Sequence, residues 1–410
     1  MARIIFLNRF FYPDHSATGQ ILSDLAFDLS AAGRDVTVVT SRQRYDHAGA
    51  DLPAHEAIKG VTVVRVPTTR YGRRGLIGRG FDYLSYYRAT WRALTDRSGA
   101  APIGPGDILV AKTDPPLLSV LAMKAAARTG AHLVNWLQDL YPEVAIELGV
   151  PLVHGPVARL LADRRNLSLR AARANVVLGQ AMAERLAALG IAPAATHIIA
   201  NWARDDSIVP VAAAANPLRH EWGLADKFVV GYSGNLGRAH DYEPVLAAAE
   251  RLRGQPRIAF VFVGGGRQFD EVARRTRARR LGSTVRFFPY QDDSVLTYSL
   301  SVPDLHWLSL KPALEGLIFP SKFYGIAAAG RAMAALTAPD GEIARLVGQH
   351  DCGAAFDPAD VDGLTGFIDR LAGDPARCAD MGRRARMMLN SHFSRARALA
   401  RWHALLETVG

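Results

Sequence analysis

The chain has 410 residues, 49% of them apolar and 21% charged, with 36 Gly, 22 Pro and a mean hydropathy of +0.03. These values belong to a globular chain of two or three domains and exclude a disordered, collagen-like or disulfide-scaffold protein. The net charge of +10 favours polyanionic partners, namely nucleic acid, anionic lipid or phosphorylated small molecules; six of the 49 basic residues are Lys, so the Arg excess carries the mark of genome composition and points weakly to any one of them. The two cysteines, Cys352 and Cys378, lack the spacing of a metal site and are expected as thiols in a reducing compartment.

The opening MARIIFLNRFFYPDH has too short an apolar run for a signal peptide, and no stretch of 18 apolar residues follows; the best candidate, Leu117 to Ala127, is interrupted by Lys124. Arg3 to Asn8 reads as a strand, followed by a polar loop and an amphipathic helix from about Thr18. Further strands are expected at Asp35 to Thr40, Val61 to Val66, Asp107 to Ala111, His132 to Trp136, Ala174 to Leu178 and His197 to Ala200, most of them separated by helices. From Asn201 to Asp226 the alternation dissolves into a Pro-containing polar stretch, read as a linker. It restarts with Phe228 to Tyr232, Ile258 to Val263, Val285 to Phe288, Leu305 to Leu308 and Ala332 to Leu336. Helices fill the chain from Val361, ending in an amphipathic one at Ser394 to Glu407. Two successive parallel α/β units result.

In such sheets ligands bind beyond the carboxyl ends of strands, so residues just after strands are the candidates. Thr18-Gly19 offers a helix N-terminus suited to phosphate, or a plain helix start with Thr18 as N-cap; no GxGxxG supports a dinucleotide. SGNLGRAHDY, Ser233 to Tyr242, places Gly234 and Gly237 for close approach of a ligand, with Arg238 and His240 as donors. Gly264 to Gly266 form either a second cradle or an ordinary tight turn. In LEGLIFPSKFYGIAAAG, Leu314 to Gly330, Glu315 and Lys322 flank Pro320 and Ser321, with Ser321 as the expected N-cap: a carboxylate for sugar hydroxyls and a cation for a diphosphate, or a surface ion pair beside an ordinary cap. Asp139, in NWLQDLYPE, follows a strand and can orient an acceptor hydroxyl or serve as a helix cap; Asp114, with Lys112 beside it, is a second acceptor-side candidate.

Together SGNLG, VGGG and EGLIFPSKFYGIAAAGRAM, with DGEIARL after them, resemble the GT-B glycosyltransferases of family 4, in the WbuB-like and WcaI-like branch that builds O-antigen and capsular or exopolysaccharide. The resemblance covers nearly the whole chain and implies two Rossmann-like parallel-sheet domains facing across a cleft: residues 1–204 binding the acceptor, a linker at 205–226, residues 227–393 binding a nucleotide-sugar, and a helix at 394–410 returning to the first domain. It implies a retaining, metal-independent hexosyl or N-acetylhexosaminyl transfer from a UDP-sugar to a polyprenyl-diphosphate-linked acceptor, with no cofactor. By the same resemblance Gly19 approaches the donor phosphates, Glu315 contacts donor-sugar hydroxyls, and Lys322 faces the diphosphate. Gly234, Asn235, Arg238, Gly264, Tyr290, Ser321 and Glu342 complete the donor side. Two departures stand out: the second Glu of the family motif falls on Gly325, and the usual Arg and Lys after the first strand of the second domain are Asn235 and His240.

The rivals are an oxidoreductase or epimerase using a nucleotide cofactor, and a basic nucleic-acid-binding protein. The first lacks its glycine fingerprint, and the second needs an interleaved basic and aromatic surface that only Arg70 to Arg97 approaches. That segment, with Arg73, Arg74, Arg79, Arg88, Phe81 and Trp91 among its residues, is read as a peripheral contact with anionic lipid on the inner face of the plasma membrane.

Overall fold

The computed structural model describes residues 2–14, 16–44, 51–72, 75–203 and 207–410, which group into two compact units. The first comprises Met1–Ala200, Gly316–Phe319 and Ala398–Gly410; the second comprises Asn201–Glu315 and Pro320–Arg397.

In the first unit the strands are β1 (Ile4–Leu7), β2 (Val36–Ser41), β3 (His55–Ile58), β4 (Val61–Val66), β5 (Ile108–Ala111), β6 (His132–Trp136), β7 (Ala174–Val177) and β8 (Thr196–Ile198). They form one sheet in the order β3-β4-β2-β1-β5-β6-β7-β8, parallel except for β3 against β4. β1, β2 and β5 are buried along their whole length, which is why they read as continuous apolar runs. The chain moves from β1 to β2 and β4, then crosses back to β5, so β1 and β5 are hydrogen-bonded neighbours at the point where the winding reverses. A crevice opens at the carboxyl ends of strands at such a point. Helices Leu76–Thr95, Leu118–Thr129 and Gly155–Ala171 lie side by side on one face. Ser168 Oγ bonds Ser119 Oγ at 2.9 Å and Tyr87 donates to the carbonyl of Pro116 across their contacts. Residues Ala398–Gly410 pack on this unit through Trp402, whose ring lies 4.5 Å from that of Trp136, and through His403, bonded to Asp28 at 2.8 Å.

The second unit holds β9 (Phe228–Asn235), β10 (Ile258–Gly265), β11 (Val285–Phe288), β12 (Leu305–Ser309), β13 (Ala332–Leu336) and β14 (Gly353–Phe356), all parallel, in the order β11-β10-β9-β12-β13-β14. Its core is built on Tyr232, Phe260, Phe262 and Trp307. Here the winding reverses between β9 and β12.

Three expectations are corrected. β3 and β14 were not expected as strands. Both are short and, as HEAI and GAAF, lack the β-branched runs that mark the others. The stretch 205–226 is no loose linker in its described part: Asn216 caps the helix Pro217–Glu221 through Leu218 N, and the buried Arg219 pairs with Asp304 at 2.8 Å, building it into the second unit. The helix expected near Thr18 is Ala17–Ala31, capped by Ser16 and not by Thr18.

Candidate functional site

In the second unit β9 and β10 pair in register to their last residues, Gly234 opposite Gly264 and Asn235 opposite Gly265. Gly234 and Gly264 have φ of +116° and +126°, and a Cβ on Gly264 would lie 2.4 Å from the carbonyl oxygen of Gly234. Only glycine allows the two backbones to close at this edge. The approach leaves Gly234 open toward Lys322, whose Cε lies 3.2 Å from where a Cβ would stand.

Lys322, the first residue of the helix Lys322–Ala328, extends its ammonium over this edge. Nζ donates to the carbonyl of Asn235 at 3.1 Å, lies 3.4 Å from His240 Nε2 and sits 5.1 Å from the centre of the Tyr232 ring. All three partners are neutral, and among the described residues no carboxylate pairs with it. Burial without a counter-charge lowers its pKa to about 8. His240 is held by a short bond, 2.6 Å, between Nδ1 and the carbonyl of Ser309. A carbonyl only accepts, so Nδ1 carries the proton and Nε2 presents a lone pair to Lys322. Burial first, and then the nearby Lys322 charge, push the His240 pKa down to about 3, so the imidazole is neutral at any working pH. Ser309 Oγ also accepts from Asp241 N at 2.6 Å, and Gln268 bonds the carbonyls of Gly237 and His240, fixing the loop.

Glu315 lies half-buried, with Oε1 accepting from Glu342 N at 2.8 Å. Its carboxylate thereby caps the helix Glu342–Gln349, while burial raises its pKa. Tyr290 is 60% exposed, with its ring against Gly265, and Arg238 is exposed. Ser321 does not cap its helix: its backbone is helical, at φ −59° and ψ −22°, whereas a capping side chain needs an extended backbone to fold back on the first turn.

In the first unit the reversal point gathers carboxylates beside two cations. Arg9 follows β1, Lys112 and Asp114 follow β5, and Asp139 follows β6. Arg9 N donates to the carbonyl of Asp114 at 2.7 Å, and its guanidinium reaches Asp82 and Gln43 at 3.3 Å each. Lys112, expected at the acceptor side, is buried: Nζ donates to the carbonyl of Thr18 at 3.0 Å and sits 3.6 Å from the centre of the Trp136 ring. Burial holds its pKa well below the usual range. Asp114 and Asp139 are each raised to about 6, chiefly by burial; the charge of Asp14 adds to the rise at Asp114 and that of Asp114 to the rise at Asp139, while Lys112 opposes both. Leu140 N donates to the carbonyl of Leu317 at 2.8 Å, fixing the chain just after Asp139. These two carboxyls can take or give a proton near neutrality.

The expected role of Gly19 meets a local obstacle. Its N–H donates to Ser16 Oγ at 3.3 Å and is not free for a phosphate, and a Cβ there would lie 2.8 Å from that oxygen and 3.3 Å from the carbonyl of Phe10. Close packing of the helix start accounts for this glycine.

Residues 16–202 match the glycosyl transferase 4-like domain, and residues 216–388 match the glycosyl transferases group 1. The chain belongs to the GT-B glycosyltransferases of family 4. It is 25% identical over 306 residues to the probable glycosyltransferase WbjE of Pseudomonas aeruginosa, covering 74% of this chain and 75% of that one. With the putative colanic acid biosynthesis glycosyl transferase WcaI of Escherichia coli (strain K12) it shares 30% over 222 residues, 52% of each. Anabaena Alr3699/HepE, solved in complex with UDP-glucose, superposes with a TM-score of 0.74 at 16% identity, covering 100% of both chains.

Several residues of this transferase that shape the two sheet edges escaped sequence reasoning. Arg9 meets Asp82 and the Tyr83 ring only through the fold. Tyr232 and Ser309 lie in apolar strand runs and carry no signal of their own; Ser309 ends β12, where a search by topology finds it, whereas Tyr232 lies in the middle of β9. At Gly325, where the family has Glu, space is not the reason for glycine: a Cβ there meets only Leu300 Cδ1, at 3.9 Å. Among the described residues no group of three or more His, Cys, Asp or Glu side chains is placed to hold a metal ion, and no helix is long and apolar enough to cross a membrane.

Proposed function

We propose that this glycosyltransferase moves a hexosyl or N-acetylhexosaminyl group from a UDP-sugar to a lipid-linked saccharide, with retention, in cell-surface polysaccharide biosynthesis. The observation that carries the reading is Lys322, a part-buried ammonium at the strand ends of the second unit with three neutral partners. A cation desolvated without an anion is incomplete, and a diphosphate supplies what it lacks. In the reaction the bond from the anomeric carbon to the diphosphate breaks, its electron pair leaving with the phosphate oxygen. The acceptor hydroxyl oxygen bonds the same carbon on the same face, and its proton passes to the departing phosphate. Lys322 donates to the charge that develops on the leaving group. His240, neutral and fixed by Ser309, holds the ammonium in place without competing for the anion. Glu315 fixes the Glu342 helix and accepts from sugar hydroxyls.

Asp139 and Asp114 belong to the acceptor, where a carboxylate orients the attacking hydroxyl. The likeness to a chain solved with UDP-glucose supports a UDP-sugar, and relatives named for glycosyl transfer and colanic acid biosynthesis support the polysaccharide context. Segment 70–97 takes the enzyme to the lipid that carries the acceptor; Arg73 and Arg74 of that reading lie outside the described residues.

Thermal unfolding against UDP-, GDP-, ADP- and dTDP-sugars tests the donor, since a ligand of the native state stabilises it by mass action. UDP-sugars should raise the melting temperature of the wild type and leave that of Lys322→Met unchanged. Equal shifts in both proteins remove Lys322 from the donor site, and no shift with any nucleotide overturns the reading. Activity should persist in EDTA; its loss with recovery on adding Mg²⁺ overturns the metal-independent part.

A further inference from the structure

Eleven of the fourteen large apolar side chains that stand exposed among the described residues belong to the first unit. They are not scattered. On the helix Leu76–Thr95, Ile77, Phe81 and Leu84 are 76%, 56% and 63% exposed, and they share one face at i, i+4, i+7. On the helix Gly155–Ala171, Val157, Leu160 and Leu167 share another at i, i+3, i+10, and Leu152, just ahead of it, is 75% exposed. The opposite sides of both helices are the buried ones, through Tyr86, Thr90 and Leu94 on the first and Arg165, Ser168 and Leu169 on the second.

The helix Leu118–Thr129 lies between them and packs on each. Each of the three enters from the carboxyl edge of the sheet and runs back across it, so their first turns gather at that edge. The exposed apolar residues run from those turns toward the middle of their helices, and cations stand among and behind them: Arg79, Arg88 and Arg92 on the first helix, Lys124 and Arg128 on the middle one, Arg159, Arg164 and Arg170 on the third, all exposed. The one exposed acid on the three helices is Asp163. The first face is pre-shaped, because the buried Asp82 accepts from Tyr71 N, Gly72 N and Thr69 Oγ1 at 2.8 Å each and ties the entering loop to its helix.

We propose that these helices form one docking surface for an anionic bilayer, with the apolar faces of Leu76–Thr95 and Gly155–Ala171 entering the interface and the cations of all three helices meeting the headgroups. The proposal rests on the reading that segment 70–97 meets lipid, and adds the third helix as an equal partner. Apolar faces interspersed with cations and carrying a single exposed acid suit a negatively charged surface. The same charges oppose a second copy of the chain, which would set Arg88, Lys124 and Arg164 against their own kind.

Co-sedimentation with vesicles tests it. The wild type should bind vesicles containing about 30% phosphatidylglycerol, more weakly at high salt, and ignore pure phosphatidylcholine. Both Val157→Ser/Leu160→Ser/Leu167→Ser and Ile77→Ser/Phe81→Ser/Leu84→Ser should lose at least about tenfold in partitioning, while keeping the wild-type melting temperature and UDP-induced thermal shift. If only the Ile77 variant loses binding, the third helix is no partner and the inference falls, while the reading of segment 70–97 stands. If the wild type binds no vesicles, both fall. A lipid-free dimer that either variant dissociates makes the face a self-interface and also overturns the proposal.

Discussion

The two units share a winding pattern and differ in what burial does at its reversal point. In the second, desolvation lowers a cation, Lys322, to a pKa of about 8; in the first it raises two carboxyls, Asp114 and Asp139, to about 6. One physical effect acting on opposite charges poises groups on either side of neutrality. The surroundings differ as well. The second unit builds its edge from glycines and neutral acceptors, which leaves a cation ready for an anion, whereas the first crowds like charges around a buried Lys112. A parallel α/β sheet thus supplies the place, and the residues just beyond its strands decide which charge is incomplete there.

The largest effect should come from breaking the second unit. Lys322→Met should lower turnover by about 10²–10³, as loss of a charged contact to a leaving group does. It should not lower the melting temperature, because the variant no longer buries a charge without a counter-charge. Turnover within about threefold of wild type would mean the diphosphate is held elsewhere.

Asp139→Asn makes the matching test in the first unit. Turnover should fall about 10². Stability should move the other way, since a carboxyl raised from 3.8 to about 6 contributes stability below pH 4 that is lost as pH rises through 6. The amide should therefore be more stable than wild type by up to about 3 kcal/mol at pH 7.5, and the advantage should vanish by pH 4. Denaturant melts at the two pH values measure this; an Asn variant less stable at pH 7.5 would show that the carboxylate is held by favourable partners.

The glycine pair separates structure from ligand. Gly264→Ala places a Cβ 2.4 Å from the carbonyl of Gly234 at a φ of +126°. It should cost about 2 kcal/mol or more of stability before any effect on binding is read, and denaturant unfolding without ligand measures it. Wild-type stability would mean the β9 and β10 ends move apart freely.

The pH profile joins the two units in one measurement. kcat/KM should rise through about pH 6 as Asp139 and Asp114 lose their protons, and fall above about pH 8 as Lys322 loses its own. Lys322→Arg should move only the upper limb and Asp139→Asn only the lower. A variant that shifts the opposite limb would reassign the titrating groups.

Much of the fold was legible because parallel strands buried on both faces leave apolar runs that glycine and proline punctuate. What failed had physical causes. GAAF is a strand because β13 lies beside it, and the helix inside the supposed linker was signalled by Asn216 ahead of Pro217, an N-cap followed by a proline at the first helical position. At the sites, Glu315, Lys322, His240 and Glu342 stand out by chemistry, but which of them pair does not. His240 lies 82 residues from Lys322, Trp136 lies 24 from Lys112, and Asp82 lies 73 from Arg9, spacings that no local pattern encodes. Ser16 rather than Thr18 caps its helix because Asp14 accepts from Ser16 N at 2.7 Å and sets the start of the turn.

The smallest expected effect concerns the residue that departs from the family. Gly325 sits inside the helix Lys322–Ala328 without a positive φ, and a Cβ there makes one ordinary contact, 3.9 Å from Leu300 Cδ1. Glycine inside a helix costs about 0.5–1 kcal/mol relative to alanine. Gly325→Ala should therefore raise the melting temperature by about 1–3 °C and leave UDP affinity within about twofold, since the proposed contact with the diphosphate runs through Lys322 and not through residue 325. Calorimetric titration of the variant with UDP decides it. An affinity about tenfold weaker, with the stability gain intact, would show that the open position at 325 is itself a binding feature, making room for ribose where the family places a carboxylate.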